Sequence, residues 1–248
     1  MKGIILAGGR ATRLRPLTLV TSKQLLPVYD KPMIYYPLNT LLKAGIKDIL
    51  IIIAPDYSGQ FLNLLGDGSE FGAHFSYIVQ KEPRGLPDAF ILGEKFIDDD
   101  SVTMILGDNI FLKQDFSQDI KDFTNGGLIF AHQVKDPQRY GVVEFDKKGQ
   151  VISLEEKPTQ PKSDFAVVGL YVFDKQVTSA VKNLQPSSRG ELEIIDLQKY
   201  YLEKGELKAK IFDGLWEDAG TFDSLLRVSN EVARDAQLTG VGNMIKSI

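Results

Sequence analysis

The sequence predicts an α/β protein built on a largely parallel sheet with helices on both faces, and three observations carry that prediction. Apolar runs of five to seven residues, rich in β-branched side chains, alternate with longer amphipathic segments, the pattern of strands buried on both faces. Gly and Pro punctuate the amphipathic segments where helices start or stop. Near residue 135 the rhythm shifts to short hairpin-like strands before helices return.

In chain order, residues 3–7 form a first strand that runs into a Gly-Gly turn. A helix over 33–43 closes at Gly45. A strand at 48–54 is followed by a helix over 58–65. A strand at 75–80 precedes a helix over 86–96, with Pro87 in the first turn, where its missing N–H is no loss. Strands at 102–106 and 128–134 complete this βαβ stretch. After about residue 135, segments 141–145, 151–155 and 165–172 read as an antiparallel insertion, followed by helices over 175–184 and 191–204. A last helix, 222–236, follows Thr221, whose hydroxyl suits an N-cap. Residues after Ala236 are Gly-rich and weakly patterned and are expected to form a loosely held tail. With no internal repeat or low-complexity segment, the chain reads as a single domain over 1–248, with lobes 1–135 and 136–236 and a tail 237–248.

Composition narrows the function. The 248 residues are 43% hydrophobic and 25% charged, ordinary globular material rather than a disordered or fibrous chain. Lys and Arg number 29 against 33 Asp and Glu, a net charge of -4, so no overall basic field exists to hold nucleic acid or an anionic membrane, and neither partner is expected. Any phosphate chemistry has to be local. The absence of Cys excludes disulfides, thiolate metal sites and a Cys nucleophile, and two histidines, His74 and His132, do not suggest a multi-histidine metal centre. The longest apolar runs, 3–7 and 49–54, fall far short of the roughly 20 residues a bilayer-spanning helix needs. The first run is also too short for a secretory signal, and Arg10, Arg13 and Arg15 follow it in place of a cleavage site. A soluble cytoplasmic protein is expected.

Three segments carry candidate chemistry. A glycine turn at the carboxyl end of a parallel strand exposes backbone N–H groups to the crevice where ligands lie, and Gly8-Gly9 occupies that place after Leu6-Ala7. Arg13 adds positive charge, and Lys23, ten residues on, is close enough to return to the same anion. The spacing matches neither a dinucleotide fingerprint nor a P-loop. Asp108, in LGDNIF at the tip of the strand 102–106, could cap a turn or hold Mg2+; Asp218, in WEDAGT, is a second carboxylate that favours the metal reading, since Mg2+ takes few carboxylates and completes its shell with phosphate oxygens and water. Glu217 is left out, because its neighbouring position points it elsewhere. Gln80 and Gly85 on their own read as a glycine turn beside a polar residue, and Glu156-Lys157 before Pro158 as an exposed ion pair unless the residue before proline bends the strand exit.

The run LAGGRATRLRP followed by SKQLLPVYDKPMIYYPL resembles the amino-terminal signature of the sugar-phosphate nucleotidylyltransferase family, most similar to its glucose-1-phosphate thymidylyltransferases, and further motifs in the same order extend the resemblance from Met1 to about Asp235. It implies a three-layer α/β/α nucleotidyltransferase (Rossmann-like) fold with a mixed, mostly parallel central sheet. By this resemblance Leu6, Gly8, Gly9, Thr12, Arg13, Lys23, Gln80, Gly85 and Asp108 bind the nucleotide, with Gln80 and Gly85 on the base. Tyr140, Gly141, Glu156, Lys157, Val168 and Arg189 bind the sugar phosphate; Asp108 and Asp218 bind Mg2+; and Arg13, Lys23, Asp108 and Lys157 are catalytic. Three positions depart from the family pattern: Ala11 replaces a loop glycine, so the backbone there has to suit an alanine; Pro87 replaces a small residue; and Val168 stands where relatives often carry Thr.

The implied reaction joins dTTP and glucose 1-phosphate into dTDP-glucose with release of pyrophosphate, for deoxysugar and surface-polysaccharide precursors. UTP or another sugar 1-phosphate remains open, because one methyl on the base discriminates by only about 1–3 kcal/mol. A non-catalytic nucleotide-sugar-binding subunit is the rival of another class, but it would be expected to lack Arg13, Lys23 or an aspartate. Longer relatives continue past the last helix with further helices that help form a regulatory nucleotide site. Because this sequence stops at Ile248, weakened feedback inhibition is expected, and of the homo-oligomers, dimer or tetramer, the tetramer is less assured.

Overall fold

The computed structural model describes residues 1–9 and 11–239; Arg10 and residues 240–248, which hold most of the expected tail, lie outside the described residues. β1 (Lys2–Ala7) ends in the glycine turn, and a short hairpin of β2 (Pro27–Val28) and β3 (Lys31–Pro32) precedes α1 (Tyr35–Lys43). β4 (Asp48–Ile53), α2 (Ser58–Leu65), β5 (His74–Val79), α3 (Asp88–Leu92), α4 (Glu94–Ile97) and β6 (Val102–Leu106) complete the parallel half. Next come β7 (Asn109–Leu112), α5 (Ser117–Lys121), β8 (Gly127–Gln133), β9 (Gly141–Phe145), β10 (Val151–Glu156), β11 (Phe165–Phe173), α6 (Val177–Val181), α7 (Ile194–Glu203), β12 (Leu207–Ile211), β13 (Leu215–Asp218) and α8 (Phe222–Thr239).

The central sheet is mixed. β5, β4, β1 and β6 lie side by side and parallel, while β11 joins β6 antiparallel and carries β8 and β9 in turn. Strands from both sides of residue 135 therefore belong to one nine-stranded sheet. Strand alternation feeds two cores. Ile4, Leu50, Ile52 and Met104 face α3, α6 and α7 on one side, and Ile5, Ile49, Ile51 and Ile105 face α1, α2 and α5 on the other. A third, smaller cluster of Val28, Met33, Ile110, Ala219, Val228 and Val232 seats α8.

Several boundaries differ from the expectation for local physical reasons. The helix expected over 86–96 is two short helices broken at Gly93, packed against Ile4 and Leu50, and α1 starts two residues later than periodicity suggests. α8 begins where Thr221 predicts, with a reciprocal cap in which the Ser224 N–H donates to Thr221 Oγ1 and the Thr221 N–H to Ser224 Oγ. It runs to Thr239, beyond the expected end at Ala236.

Candidate active site

β8 pairs with one edge of β11 at both ends, over 165–167 and 171–173. On the opposite edge, β6 pairs with Leu170 to Phe173 and β9 with Ala166, and these two neighbours do not pair with each other. A cavity of about 480 Å³ opens there, lined by Leu106 and Asp108 after β6, by Tyr140 and Gly141 at the start of β9, and by Val167 and Tyr171 from β11. It is the crevice at the carboxyl ends of parallel strands where α/β sheets bind ligands.

Asp108 and Asp218, 110 positions apart, meet because β7 pairs antiparallel with β13, setting Asp218 opposite Asn109, and because the Ala219 N–H donates to the Asp108 carbonyl at 3.0 Å. Asn109, buried, ties the corner together: its Oδ1 accepts from the Gly169 N–H at 2.9 Å and from Trp216 Nε1 at 2.7 Å, and its Nδ2 lies 3.3 Å from Asp108 Oδ1. Lys23 Nζ donates to Asp108 Oδ2. Burial opposes the charge on both, yet the mutual attraction wins: the Lys23 ammonium is pushed up from its ordinary value and the Asp108 carboxyl down. Burial, reinforced by the Asp108 charge, pushes Asp218 up to about 6. Arg13 completes the group, with its guanidinium 2.8 Å from where a Cβ on Gly220 would lie and Asp218 Oδ1 2.7 Å from that same point.

Burial and the neighbouring Asp108 charge raise the proton affinity of Asp218, and a hard divalent cation held between the two carboxylates would relieve that repulsion. Among the described residues no group of three or more His, Cys, Asp or Glu side chains is assembled. Two carboxylates with room for phosphate oxygens and water match the ligand habit of Mg2+. Glu217, on the same strand, is turned to Arg227 Nη2 at 2.6 Å.

Gln80 follows β5 and lines the cavity with Gly85 and Leu86. Its Nε2 donates to Asp88 Oδ2 at 2.9 Å, and Arg84 Nη2 donates to Asp88 Oδ1 at 2.6 Å. Gly85 has φ +102°, and a Cβ there would stand 2.0 Å from the Leu192 carbonyl oxygen. The glycine thus permits a close backbone pairing with Leu192, whose N–H donates to the Arg84 carbonyl, a link between the segments before α3 and before α7.

Glu156 and Lys157 both line the cavity, Nζ lying 3.1 Å from Glu156 Oε1. The exit bends at the residue before Pro158, as expected, and it does so by an unusual conformation: Lys157 adopts φ 44°, the left-handed region, and its N–H donates to the Tyr140 carbonyl at 3.0 Å. That turn defeats strand alternation and brings neighbouring side chains to one wall. Arg189 also lines the cavity; its Nε and Nη2 donate to Glu193, and Nη2 lies 3.6 Å from Glu156 Oε1.

Leu6, Gly9, Arg13, Lys23, Gln80, Gly85, Asp108, Tyr140, Gly141, Glu156, Lys157, Arg189 and Asp218 therefore share one cavity. Three expected residues do not line it. Gly8 lines a neighbouring cavity of about 490 Å³ that shares Gly9, Lys23 and Gln80; Thr12 is exposed and lines neither. Val168 is corrected as a side-chain contact: alternation along β11 sends it into the apolar core with Ile5 and Phe130, and Val167 faces the cavity instead. Ala11 stands at φ 49°, ψ 40°, a left-handed conformation that suits glycine, contrary to the expectation that the loop would suit an alanine. Sequence reasoning missed Asn109, Asp88 and Arg139, which also lines the cavity. The polar residue directly after Asp108 and the acid opening α3 were the available signals.

The nucleotidyl transferase family profile matches residues 2–235. A glucose-1-phosphate thymidylyltransferase of Neisseria meningitidis is 56% identical over 230 residues, covering 91% of this chain and 80% of that protein. One of Mycolicibacterium smegmatis is 51% identical over 236 residues, covering 94% and 82%. Among solved structures, one from Bacillus anthracis, provisionally assigned as a glucose-1-phosphate thymidylyltransferase and in complex with sucrose, superposes with a TM-score of 0.89 at 44% identity, covering 95% of this chain and 96% of that one.

Proposed function

The chain belongs to the nucleotidyl transferase family, and on that premise we infer that it transfers the thymidylyl group of dTTP to glucose 1-phosphate, giving dTDP-glucose and pyrophosphate. The observation that carries this reading is that Arg13, Lys23, Asp108 and Asp218 converge on a cavity that Gln80, Glu156 and Lys157 also line. A phosphate oxygen of glucose 1-phosphate attacks the α-phosphorus of dTTP in line. The bond to the bridging oxygen of the β-phosphate breaks, and pyrophosphate leaves with that electron pair. The attacking phosphate is already an anion at neutral pH, so no side chain has to remove a proton.

The barrier is the approach of two polyanions, and the chain supplies positive charge fixed in advance. Arg13 neutralises the departing pyrophosphate, and Lys23 and Lys157 the phosphates that approach each other. Asp108 and Asp218 are the residues that would hold Mg2+, which supplies further positive charge to the phosphate oxygens. Gln80 and Gly85 receive the base, and Tyr140, Gly141 and Glu156 the sugar. On this reading 1–135 is the nucleotide half and 136–236 the sugar half. The test is pyrophosphate release for four nucleoside triphosphates against several sugar 1-phosphates, with and without Mg2+. Mg2+-dependent release that is fastest with dTTP and glucose 1-phosphate is expected; release with no pair, or equal release without Mg2+, would overturn the reading.

A further inference from the structure

We propose that Asp88 is a positioning residue that sets base selectivity by fixing which way the Gln80 carboxamide faces, so that the cavity accepts bases presenting a ring N–H (thymine, uracil) and rejects cytosine. The proposal rests on Gln80 facing the base. Asp88 opens α3 and is 1% exposed, with one oxygen taken by Gln80 Nε2 and the other by Arg84 Nη2. Paired with a guanidinium, its carboxylate is an acceptor only. A carboxamide is symmetric in shape but not in chemistry, and an acceptor-only neighbour permits just one of its two orientations.

Gln80 Nε2 must therefore turn to Asp88, and Oε1 points the other way, over the Gly8 backbone, 2.5 Å from where a Cβ on Gly8 would stand. Gly8 has no Cβ, so the oxygen fits. The residue lines both adjoining cavities and is 5% exposed, and with Nε2 held by Asp88 it is Oε1 that is left to receive a base. Thymine and uracil carry an N–H at ring position 3, which can donate to that oxygen. Cytosine carries a lone pair there, and two acceptors would face each other without a proton between them. A site built around one hydrogen-bond sense discriminates far more strongly than one built on shape.

Asp88→Asn removes the constraint, because an Asn can accept from or donate to Gln80, which is then free to turn and offer N–H to cytosine. The measurement is kcat/KM for dTTP and for dCTP with glucose 1-phosphate as acceptor, with melting curves to confirm folding. The wild-type protein should favour dTTP, and Asp88→Asn should reduce that ratio by about 10-fold or more. In a Gln80→Ala background the same substitution should leave the ratio unchanged, which a merely structural role would not produce. If Asp88→Asn does not fold, Asp88→Ser, whose hydroxyl also donates or accepts, carries the same expectation. An unchanged ratio in the single variant, a further fall in the Gln80→Ala background, or a wild-type protein indifferent between the two nucleotides would overturn the proposal. A wild-type protein that does not turn over dTTP at all would instead overturn the proposed reaction.

Discussion

Arg13 reaches the aspartate pair from an exposed 3-10 turn whose neighbour Leu14 supplies the buried anchor. Removing the guanidinium should therefore leave the fold intact while turnover falls by about 10³-fold or more, as in other phosphoryl-transfer sites that lose an arginine. Pyrophosphate release and a melting curve check both halves of that statement for Arg13→Ala. Asp218→Asn separates stability from chemistry: it keeps an oxygen for the Gly220 N–H, bonded at 2.9 Å, and deletes one of two repelling buried charges. The variant should melt at or above the wild-type temperature without metal, lose the rise in melting temperature that Mg2+ gives the wild type, and turn over slowly. A lower melting temperature would contradict it. Ala11→Gly relieves a left-handed alanine. That strain, about 1–2 kcal/mol, exceeds the added freedom of the unfolded chain, about 0.4–1 kcal/mol, so calorimetry should show a melting temperature about 2 °C higher. Arg13, Lys23 and Asp108 were legible because charged groups beside a glycine turn or a strand end announce a ligand, whereas Glu156 and Lys157 read locally as an exposed ion pair and entered the site only through the family resemblance. Asn109 and Asp88 were not legible, since buried polar side chains that orient others have no spacing rule; only the fold reveals whom they touch.

At the scale of elements, the pairing of β7 with β13 decides the site, because it brings Asp218 to Asp108. Neither four-residue strand was read from the sequence: runs this short, with Glu217 and Asp218 in one of them, carry no usable alternation. β12 was missed although its Leu-Lys-Ala-Lys-Ile run alternates as a half-buried strand does: it is five residues long, directly follows Gly205-Glu206 and lies at the sheet edge, half-buried at most. The long buried strands β1, β4, β6 and β11 were found to within a residue or two, because burial on both faces forces an unbroken apolar run. The link between Gly85 and Leu192 holds the segment before α3 against the segment before α7, each of which lines the cavity. Gly85→Ala would place a Cβ against the Leu192 carbonyl at a φ unsuited to an L side chain. It should destabilise the protein by about 2 kcal/mol or more and raise KM for both substrates, seen in denaturant melts and in steady-state kinetics.

On the scale of the whole molecule, two apolar layers clamp a sheet whose middle strands deliver Leu6, Leu106 and the glycine turn to one edge, while β9, β10 and β11 deliver Gly141, Glu156 and Val167 to the facing wall. The alternation of strand and helix made the layered sheet legible; the fork at β11, where β6 and β9 share an edge, depended on long-range pairing that no local pattern encodes. Among the described residues no helix is long and apolar enough to cross a membrane. The proposed reaction requires a single crevice to hold the nucleotide, its metal and the sugar at once. A crystal structure with dTDP-glucose and Mg2+ bound tests this most directly. The prediction is thymine against Gln80 and Gly85, the pyrophosphate bridge beside Arg13, Mg2+ within about 2.1 Å of an Asp108 or Asp218 oxygen, and glucose against Glu156. A product lodged in another cavity, or a metal far from both aspartates, would contradict it.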